Sequence, residues 1–126
     1  MLKYVLIAED DPEISDLLQE AIAERLYVAT HVVANGALVP DAIAARRPDL
    51  LILDLALPGL SGNDVFDIVR GDPAYDGVPV LILTASPELA PPAEAPGQRL
   101  MGKPFDLNAL LGAVDAMVDG ALPAAA

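Results

Sequence analysis

Short apolar runs alternate with polar, helix-like stretches along this 126-residue sequence, and this alternation restricts the fold more than any other feature. The runs are rich in Val, Ile and Leu, which is typical of strands buried on both faces of a sheet. Strands are predicted over residues 3–8, 27–33, 50–53 and 78–83, with a brief fifth strand over 99–102. Apolar strands that alternate with amphipathic helices form a parallel sheet covered on both faces. The sequence therefore predicts an α/β fold, a five-stranded parallel sheet with helices on both faces.

The stretches between the strands carry helix signals. Residues 11–13 supply an N-cap Asp, a Pro at the first helical position and an acid in the first turn. Apolar residues then recur at spacings of three and four, as on one face of a helix. Two further helices are predicted over residues 37–47 and 63–70. A last helix begins after an N-cap at Asp106 and stops at Gly120, because glycine commonly ends helices.

Residues 86–97 lie where a fourth helix belongs in this alternation, between the fourth and fifth strands. They contain four prolines, at positions 87, 91, 92 and 96. Proline lacks the amide donor, clashes with the preceding turn and disfavours helical geometry one residue upstream. The fourth helix is therefore predicted to be shortened or lost, with no helix longer than about two turns in this segment.

Composition excludes several classes of site and partner. Cysteine is absent and His31 is the single histidine, so disulfides, thiolate metal sites and multi-histidine zinc sites are excluded. The net charge is −12, which disfavours nucleic acid and anionic membranes, and neither is expected as a partner. No apolar run approaches the roughly 20 residues of a membrane helix, and no signal peptide is recognisable, so a cytoplasmic location is expected. His31 falls in a predicted strand and is interpreted as a partly exposed strand side chain.

Polar side chains follow four of the five predicted strands at the point where each strand ends. Glu9, Asp10 and Asp11 follow the first strand, Asp54 the third, Thr84 the fourth and Lys103 the fifth, whereas the second strand is followed by nothing comparable. The carboxyl ends of parallel strands meet at one edge of the sheet, where ligands bind in open α/β folds. We therefore expect three to four carboxylates, a hydroxyl and an ammonium group to gather there.

Such a cluster predicts metal-assisted phosphoryl chemistry. Carboxylates that lie close together repel one another, and a hard divalent cation relieves the repulsion. Oxygen ligands suit Mg²⁺, which typically takes one or two carboxylates together with phosphate oxygens. A carboxylate beside Mg²⁺ and a lysine is also suited to attack a phosphoryl group, because both cations stabilise the added negative charge.

Four segments carry a family resemblance. These segments resemble the receiver domain of bacterial two-component response regulators. They are residues 9–11 (Glu-Asp-Asp), residues 54–62 (Asp-Leu-Ala-Leu-Pro-Gly-Leu-Ser-Gly), Thr84 with Ala85, and residues 103–105 (Lys-Pro-Phe). The resemblance covers nearly the whole chain and implies a flavodoxin-like fold. A receiver domain is expected over residues 1–120, and the tail over 121–126 is expected to be flexible because chain ends are commonly frayed. Because the last helix ends near residue 120, a stand-alone, single-domain type without an effector domain is expected.

The resemblance implies a role for each matching residue of the acidic cluster. Asp54 is implied as the phosphoacceptor. Mg²⁺ is implied as the cofactor, held by Asp10 directly, by Glu9 through water, by Asp54, and by the backbone carbonyl of Ala56. Asp11 is interpreted as a helix cap rather than a ligand.

The resemblance also implies a switch. Thr84 would bond a phosphoryl oxygen and move inward on activation, and Lys103 would pair with the phosphoryl group. A cis peptide bond is implied between Lys103 and Pro104. The sequence departs from the family at Leu100, where an aromatic residue is usual, and in the shortened stretch between Thr84 and Lys103. These departures concern how the signal leaves the domain, while the residues of the phosphorylation chemistry are all present.

The predicted function is that of a single-domain response regulator, phosphorylated on Asp54 by a sensor histidine kinase or phosphotransfer protein and acting on an unknown protein target. It is expected not to be an enzyme, although such domains phosphorylate and dephosphorylate themselves. A phosphatase that attacks with an aspartate would need a second Asp where Ala56 lies, and a dinucleotide-binding module would need a phosphate-binding loop where residues 9–11 are acidic. A pseudo-receiver that binds partners without phosphorylation stays open as the alternative.

Overall fold

The computed structural model of the chain describes residues 2–91 and 97–119. Its centre is a five-stranded parallel sheet with the strand order β2-β1-β3-β4-β5. The strands are β1 (Lys3–Ala8), β2 (Val28–Val33), β3 (Leu50–Asp54), β4 (Val80–Thr84) and β5 (Gln98–Gly102). The predicted fold class is confirmed. The three central strands are buried along nearly their whole length, whereas the edge strands β2 and β5 are mostly half-buried.

The structure describes four α-helices, of which the first three connect successive strands and the fourth follows β5. They are α1 (Pro12–Arg25), α2 (Val39–Ala45), α3 (Gly62–Gly71) and α4 (Leu107–Val118), and single 3₁₀ turns lie at Gly36–Leu38, Pro73–Tyr75 and Pro87–Leu89. The predicted N-caps are confirmed, since the side chain of Asp11 accepts from Glu13 N and that of Asp106 accepts from Ala109 N. The helix predicted over residues 37–47 is split into a 3₁₀ turn and α2, because Pro40 is accommodated only in the first turn of a helix.

The sheet separates two apolar cores, one under each layer of helices. Side chains alternate along β3, so that Leu51 and Leu53 enter the core beneath α2 and α3 while Leu50 and Ile52 enter the core beneath α1 and α4. All four of these side chains are fully buried. Both faces of the sheet are therefore covered, as the continuous apolar runs predict.

Two strands, β2 and β4, begin later than predicted. Tyr27 precedes β2 rather than beginning it and is 89% exposed. β4 begins at Val80 instead of Val78, because Pro79 has no amide to donate to the ladder, although its carbonyl accepts from Leu51 N at 2.9 Å. His31 lies in β2 opposite Leu6 and is exposed, as expected of a strand side chain on the edge of the sheet.

The proline-rich segment forms no α-helix over the residues that the structure describes. Residues 86–91 contain one 3₁₀ turn, Pro87–Leu89, after which Ala90 is extended, with φ −77° and ψ 152°. Residues 92–96 lie outside the described residues, as do the predicted helix stop at Gly120 and the predicted tail at 121–126. The domain limits 1–120 stay a prediction. Among the described helices, none has the length and apolar character needed to cross a membrane.

Candidate functional site

The four strand ends that carry polar side chains meet at one edge of the sheet. Asp54 and Thr84 are the last residues of β3 and β4, and Lys103 comes directly after β5. Register brings them close, because Asp54 is paired with Leu83, the residue before Thr84, and Thr84 is paired with Gly102. The convergence follows from parallel strands of nearly equal length.

Three carboxylates form a cluster at this edge. One carboxylate oxygen from each of Glu9, Asp10 and Asp54 lies within 4.8 Å of the others. Glu9 and Asp54 are 1% and 3% exposed, because each lies at the end of a strand that is buried on both faces, whereas Asp10 is exposed to solvent. The cluster therefore has two buried acids and one acid open to water.

Lys103 lies between the two buried acids. Its Nζ is 2.8 Å from Oε1 of Glu9 and 3.2 Å from Oδ2 of Asp54. The remaining oxygens accept backbone amides, Oε2 of Glu9 from Asp11 N at 3.2 Å and Oδ1 of Asp54 from Ala56 N at 3.0 Å. All four oxygens of the two buried carboxylates are thus held by contacts within the protein.

This packing shifts two ionisation equilibria. The pKa of Glu9 is raised to about 7, chiefly by burial and also by its hydrogen bond with Asp54, against the opposing effect of the bonds from Lys103 and Asp11 N. Burial alone would lower the pKa of Lys103, but its hydrogen bonds and charge attraction to Glu9 and Asp54 outweigh burial, and the pKa is raised. Lys103 is therefore a permanent cation at neutral pH, while Glu9 exchanges its proton in that range.

The donor set fits a hard divalent cation. Three carboxylates lie close together, a single ammonium group pairs with them among the residues that the structure describes, and Asp10 is open to solvent. Such all-oxygen surroundings suit Mg²⁺, which keeps several of its waters. Ala56 is exposed beside the cluster, and the metal-binding role implied for its carbonyl stays a prediction.

Thr84 connects the site to the proline-rich segment. Its Oγ1 accepts from Ser86 N at 2.9 Å, so the hydroxyl hydrogen is available to a further acceptor. Its backbone carbonyl accepts from Lys103 N at 2.7 Å, which joins the ends of β4 and β5. The Lys103–Pro104 peptide bond is cis, as expected. Leu100 is half-buried and packs, like Ala90, against the core beneath α2 and α3.

Sequence reasoning overlooked a contribution from the end of β2. Gly36 N donates to Pro58 O at 2.9 Å, which joins the turn after β2 to the loop after Asp54. In the sequence, the dipeptide Asn35–Gly36 indicates a turn, and nothing in it indicates a contact with the loop after Asp54.

A parallel α/β sheet whose carboxyl edge holds buried acids around one lysine defines a receiver-type domain. The sequence model of the response regulator receiver domain matches residues 5–115. The chain belongs to this family, and the resemblance stated from its motifs is confirmed.

Relatives and solved structures agree with this assignment. The DNA-binding response regulator MtrA of Mycolicibacterium smegmatis is 36% identical over 85 residues, which are 68% of this chain and 36% of MtrA. The signal receiver domain of a signal transduction histidine kinase from Syntrophus aciditrophicus superimposes with a TM-score of 0.81 at 26% identity, covering 96% of this chain and 93% of that one. The receiver domain of the sensor histidine kinase PA1611 from Pseudomonas aeruginosa, with magnesium coordinated in its active site cleft, has a TM-score of 0.82 at 21% identity, covering 94% and 99%. At 21% identity, this last similarity shows a shared fold and nothing further.

The expectation that nucleic acid is not a partner is wrong, because relatives of this chain are DNA-binding response regulators. MtrA is a DNA-binding response regulator, and this chain spans only 36% of its length. The physical reason is that a net charge of −12 belongs to these 126 residues alone. It does not determine what a longer regulator containing such a domain binds.

Proposed function

We propose that Asp54 accepts a phosphoryl group from the phosphohistidine of a sensor histidine kinase or phosphotransfer protein in a Mg²⁺-dependent reaction. The observation that carries the proposal is the position of the Asp54 carboxylate, which is buried among Glu9, Asp10 and Lys103 with Oδ2 3.2 Å from the lysine Nζ. A nucleophile toward phosphorus needs neighbours that stabilise the negative charge which the reaction brings in. Lys103 is such a neighbour.

The chemistry balances within this arrangement. An oxygen of the Asp54 carboxylate forms a bond to phosphorus while the bond from phosphorus to the imidazole nitrogen breaks, and the electron pair stays on the imidazole. Ala56 N–H holds the other carboxylate oxygen at 3.0 Å and so fixes the orientation of the nucleophile. Lys103 Nζ offers its donors to the incoming phosphoryl oxygens.

Glu9, Asp10, Asp54 and the carbonyl of Ala56 are the groups proposed to hold Mg²⁺. When bound, the ion supplies positive charge that neutralises the phosphoryl oxygens. The proposal is supported by the convergent carboxylates of this chain and by the magnesium in the PA1611 receiver domain.

Thr84 and Lys103 are proposed as the residues that sense the phosphoryl group. The free hydrogen of the Thr84 hydroxyl is suited to donate to a phosphoryl oxygen, and its bond to Ser86 N passes the change to residues 86–91. Water attack on the aspartyl phosphate would reset the domain. The domain would thus catalyse only its own phosphorylation and dephosphorylation. It would pass the signal on through protein contacts in the cytoplasm. Action as a single-domain regulator stays a prediction.

The test compares Asp54→Asn with wild type. After treatment with acetyl phosphate and Mg²⁺, intact-protein mass spectrometry should show one added phosphoryl group on wild type and none on the variant, because an amide does not attack phosphorus. Asp67→Asn, at an exposed position of α3, is the matched control and should be phosphorylated normally. Uptake by Asp54→Asn equal to that of wild type would remove the assignment. Absence of uptake by wild type would favour the pseudo-receiver alternative.

A further inference from the structure

The Asn35–Gly36 turn lies against the loop of residues 55–61, which follows Asp54. Gly36 N donates to Pro58 O at 2.9 Å. The Asn35 side chain caps its own turn by accepting from Ala37 N at 2.8 Å, and it fills the space where a Cβ on Gly59 would stand. Two uncharged residues at the end of β2 thus contact the loop that carries Ala56.

The contact leaves no room for a side chain at Gly36. A Cβ built on Gly36 would overlap the backbone carbonyl of Leu60, and a backbone group has no rotamer by which to move aside. Gly59 has a φ of 77°, a conformation that favours glycine, so the loop is itself shaped to approach Asn35. The distance between the turn and the loop therefore depends on Gly36 having no Cβ.

The loop leads directly to the phosphoacceptor. At its start, Leu55 N donates to Leu83 O at 3.2 Å and Ala56 N donates to Oδ1 of Asp54 at 3.0 Å. At its end, the Ser61 hydroxyl accepts from Asp64 N at 3.1 Å and caps α3. Between these anchors, the bond from Gly36 to Pro58 is the one that ties the loop to the end of β2.

We propose that Asn35 and Gly36 are positioning residues of the phosphoacceptor site. They hold the middle of the loop at a set distance from β2, and the loop in turn directs the Ala56 N–H at Oδ1 of Asp54. This leaves Oδ2 facing Lys103. The inference rests on the proposed function of Asp54, to which it adds a part of the site with no charge and no contact with the reacting atoms.

The experiment compares Gly36→Ala with Gly71→Ala, a glycine at the end of α3 where an added Cβ meets nothing within 4 Å. The initial rate of phosphoryl uptake from acetyl phosphate and the hydrogen exchange of the Ala56 amide in unphosphorylated protein are both measured. Gly36→Ala should slow uptake roughly 10- to 100-fold, since small misplacements of reacting groups have effects of this size. It should also speed the exchange of the Ala56 amide, whereas Gly71→Ala should match wild type in both.

Asn35 supplies a milder variant. Asn35→Ala should slow uptake several-fold and expose the Ala56 amide, and Asn35→Asp, which keeps the acceptor oxygen for Ala37 N, should restore both. If Gly36→Ala does not fold, this pair decides the inference. Wild-type uptake and wild-type Ala56 exchange in a folded Gly36→Ala, or in Asn35→Ala, would overturn it. If wild type itself takes up no phosphoryl group, the proposed function fails, and the Ala56 exchange alone then supports or overturns the positioning contact.

Discussion

Lys103 has an unusual position among the charged residues of this chain, because both of its carboxylate partners are buried. Glu9 and Asp54 are 1% and 3% exposed, and Lys103 Nζ is within 3.2 Å of an oxygen of each. One ammonium group leaves the three-carboxylate cluster with excess negative charge at neutral pH. The residue-level consequence is that a proton on Glu9 and a divalent cation are alternative ways to neutralise the same site.

The ionisation of Glu9 predicts how stability depends on pH. Its ordinary pKa is 4.5 and burial raises the folded-state pKa to about 7, so between these values the folded protein binds a proton that the unfolded chain has lost. Stability should therefore fall as pH rises through this window, by at most about 1.4 kcal/mol per pH unit, and this contribution should level off above the folded pKa.

Melting temperatures measured in EDTA between pH 5.5 and 8 would check this. Wild type should lose stability as pH rises, whereas Glu9→Gln should show a flatter profile because the amide does not titrate. Glu13→Gln, at an exposed position of α1, is the control and should follow wild type. A Glu9→Gln profile parallel to that of wild type would assign the dependence to another group.

The elements around the site differ in how firmly they are held. β3 and β4 are central strands and are buried along their whole length. The segment after β4 is held by few hydrogen bonds. They run from Ser86 N to Thr84 Oγ1, from Leu89 N to Ser86 O, from Ala90 N to Pro87 O, and from Asn63 Nδ2 to Leu89 O at 3.3 Å. Leu89 is 68% exposed. An element with few buried contacts rearranges at low cost, and this one begins at the proposed switch residue.

Activation should change hydrogen exchange in this segment. With beryllofluoride and Mg²⁺ as a phosphoryl mimic, we expect altered exchange at the amides of Ser86, Leu89 and Ala90, because the Thr84 hydroxyl would take a new partner. Exchange at Leu51 and Ile52 in β3 should stay unchanged and serves as the internal reference. Unchanged exchange after β4 in a protein that binds beryllofluoride would mean that the signal leaves the site elsewhere.

At the scale of the molecule, the site depends on the order of strands in the sheet. β1, β3, β4 and β5 follow one another across the sheet. This order brings the acids at the ends of β1 and β3 to the same side of the sheet as the lysine after β5. The fold therefore holds like charges together and stabilises the arrangement through its two apolar cores. A cation that binds the cluster relieves this repulsion only in the folded state.

Mg²⁺ should consequently stabilise the whole domain. A ligand at about 100 times its Kd adds roughly 2.7 kcal/mol to the free energy of unfolding. Thermal melts with and without Mg²⁺ should show a gain for wild type and a smaller gain for Asp10→Ala, which removes the solvent-facing carboxylate. Asp67→Ala is the control, because it removes an exposed acid of α3 that is not part of the cluster. Equal gains for wild type and Asp10→Ala would place the cation elsewhere.

The sequence by itself determined the strands, the helix caps at Asp11 and Asp106, and the polar residues at the strand ends. Each of these depends on local patterns, since a buried parallel strand must be continuously apolar and a helix start needs an acceptor for its first amides. The acids, Thr84 and Lys103 could be predicted as a group because parallel strands all end at one edge.

The tertiary structure alone decided which groups touch. Lys103 is 94 residues from Glu9 in the sequence, and their ion pair exists because sheet order and register bring the two strand ends together. The contact of the Asn35–Gly36 turn with residues 58–60 involves no charged side chain and no sequence motif. Gly36 is required there because the backbone of Leu60 lies against it, and only the folded structure shows that approach. Nor did the charge of the chain determine its partners, because attraction between surfaces depends on every domain that takes part.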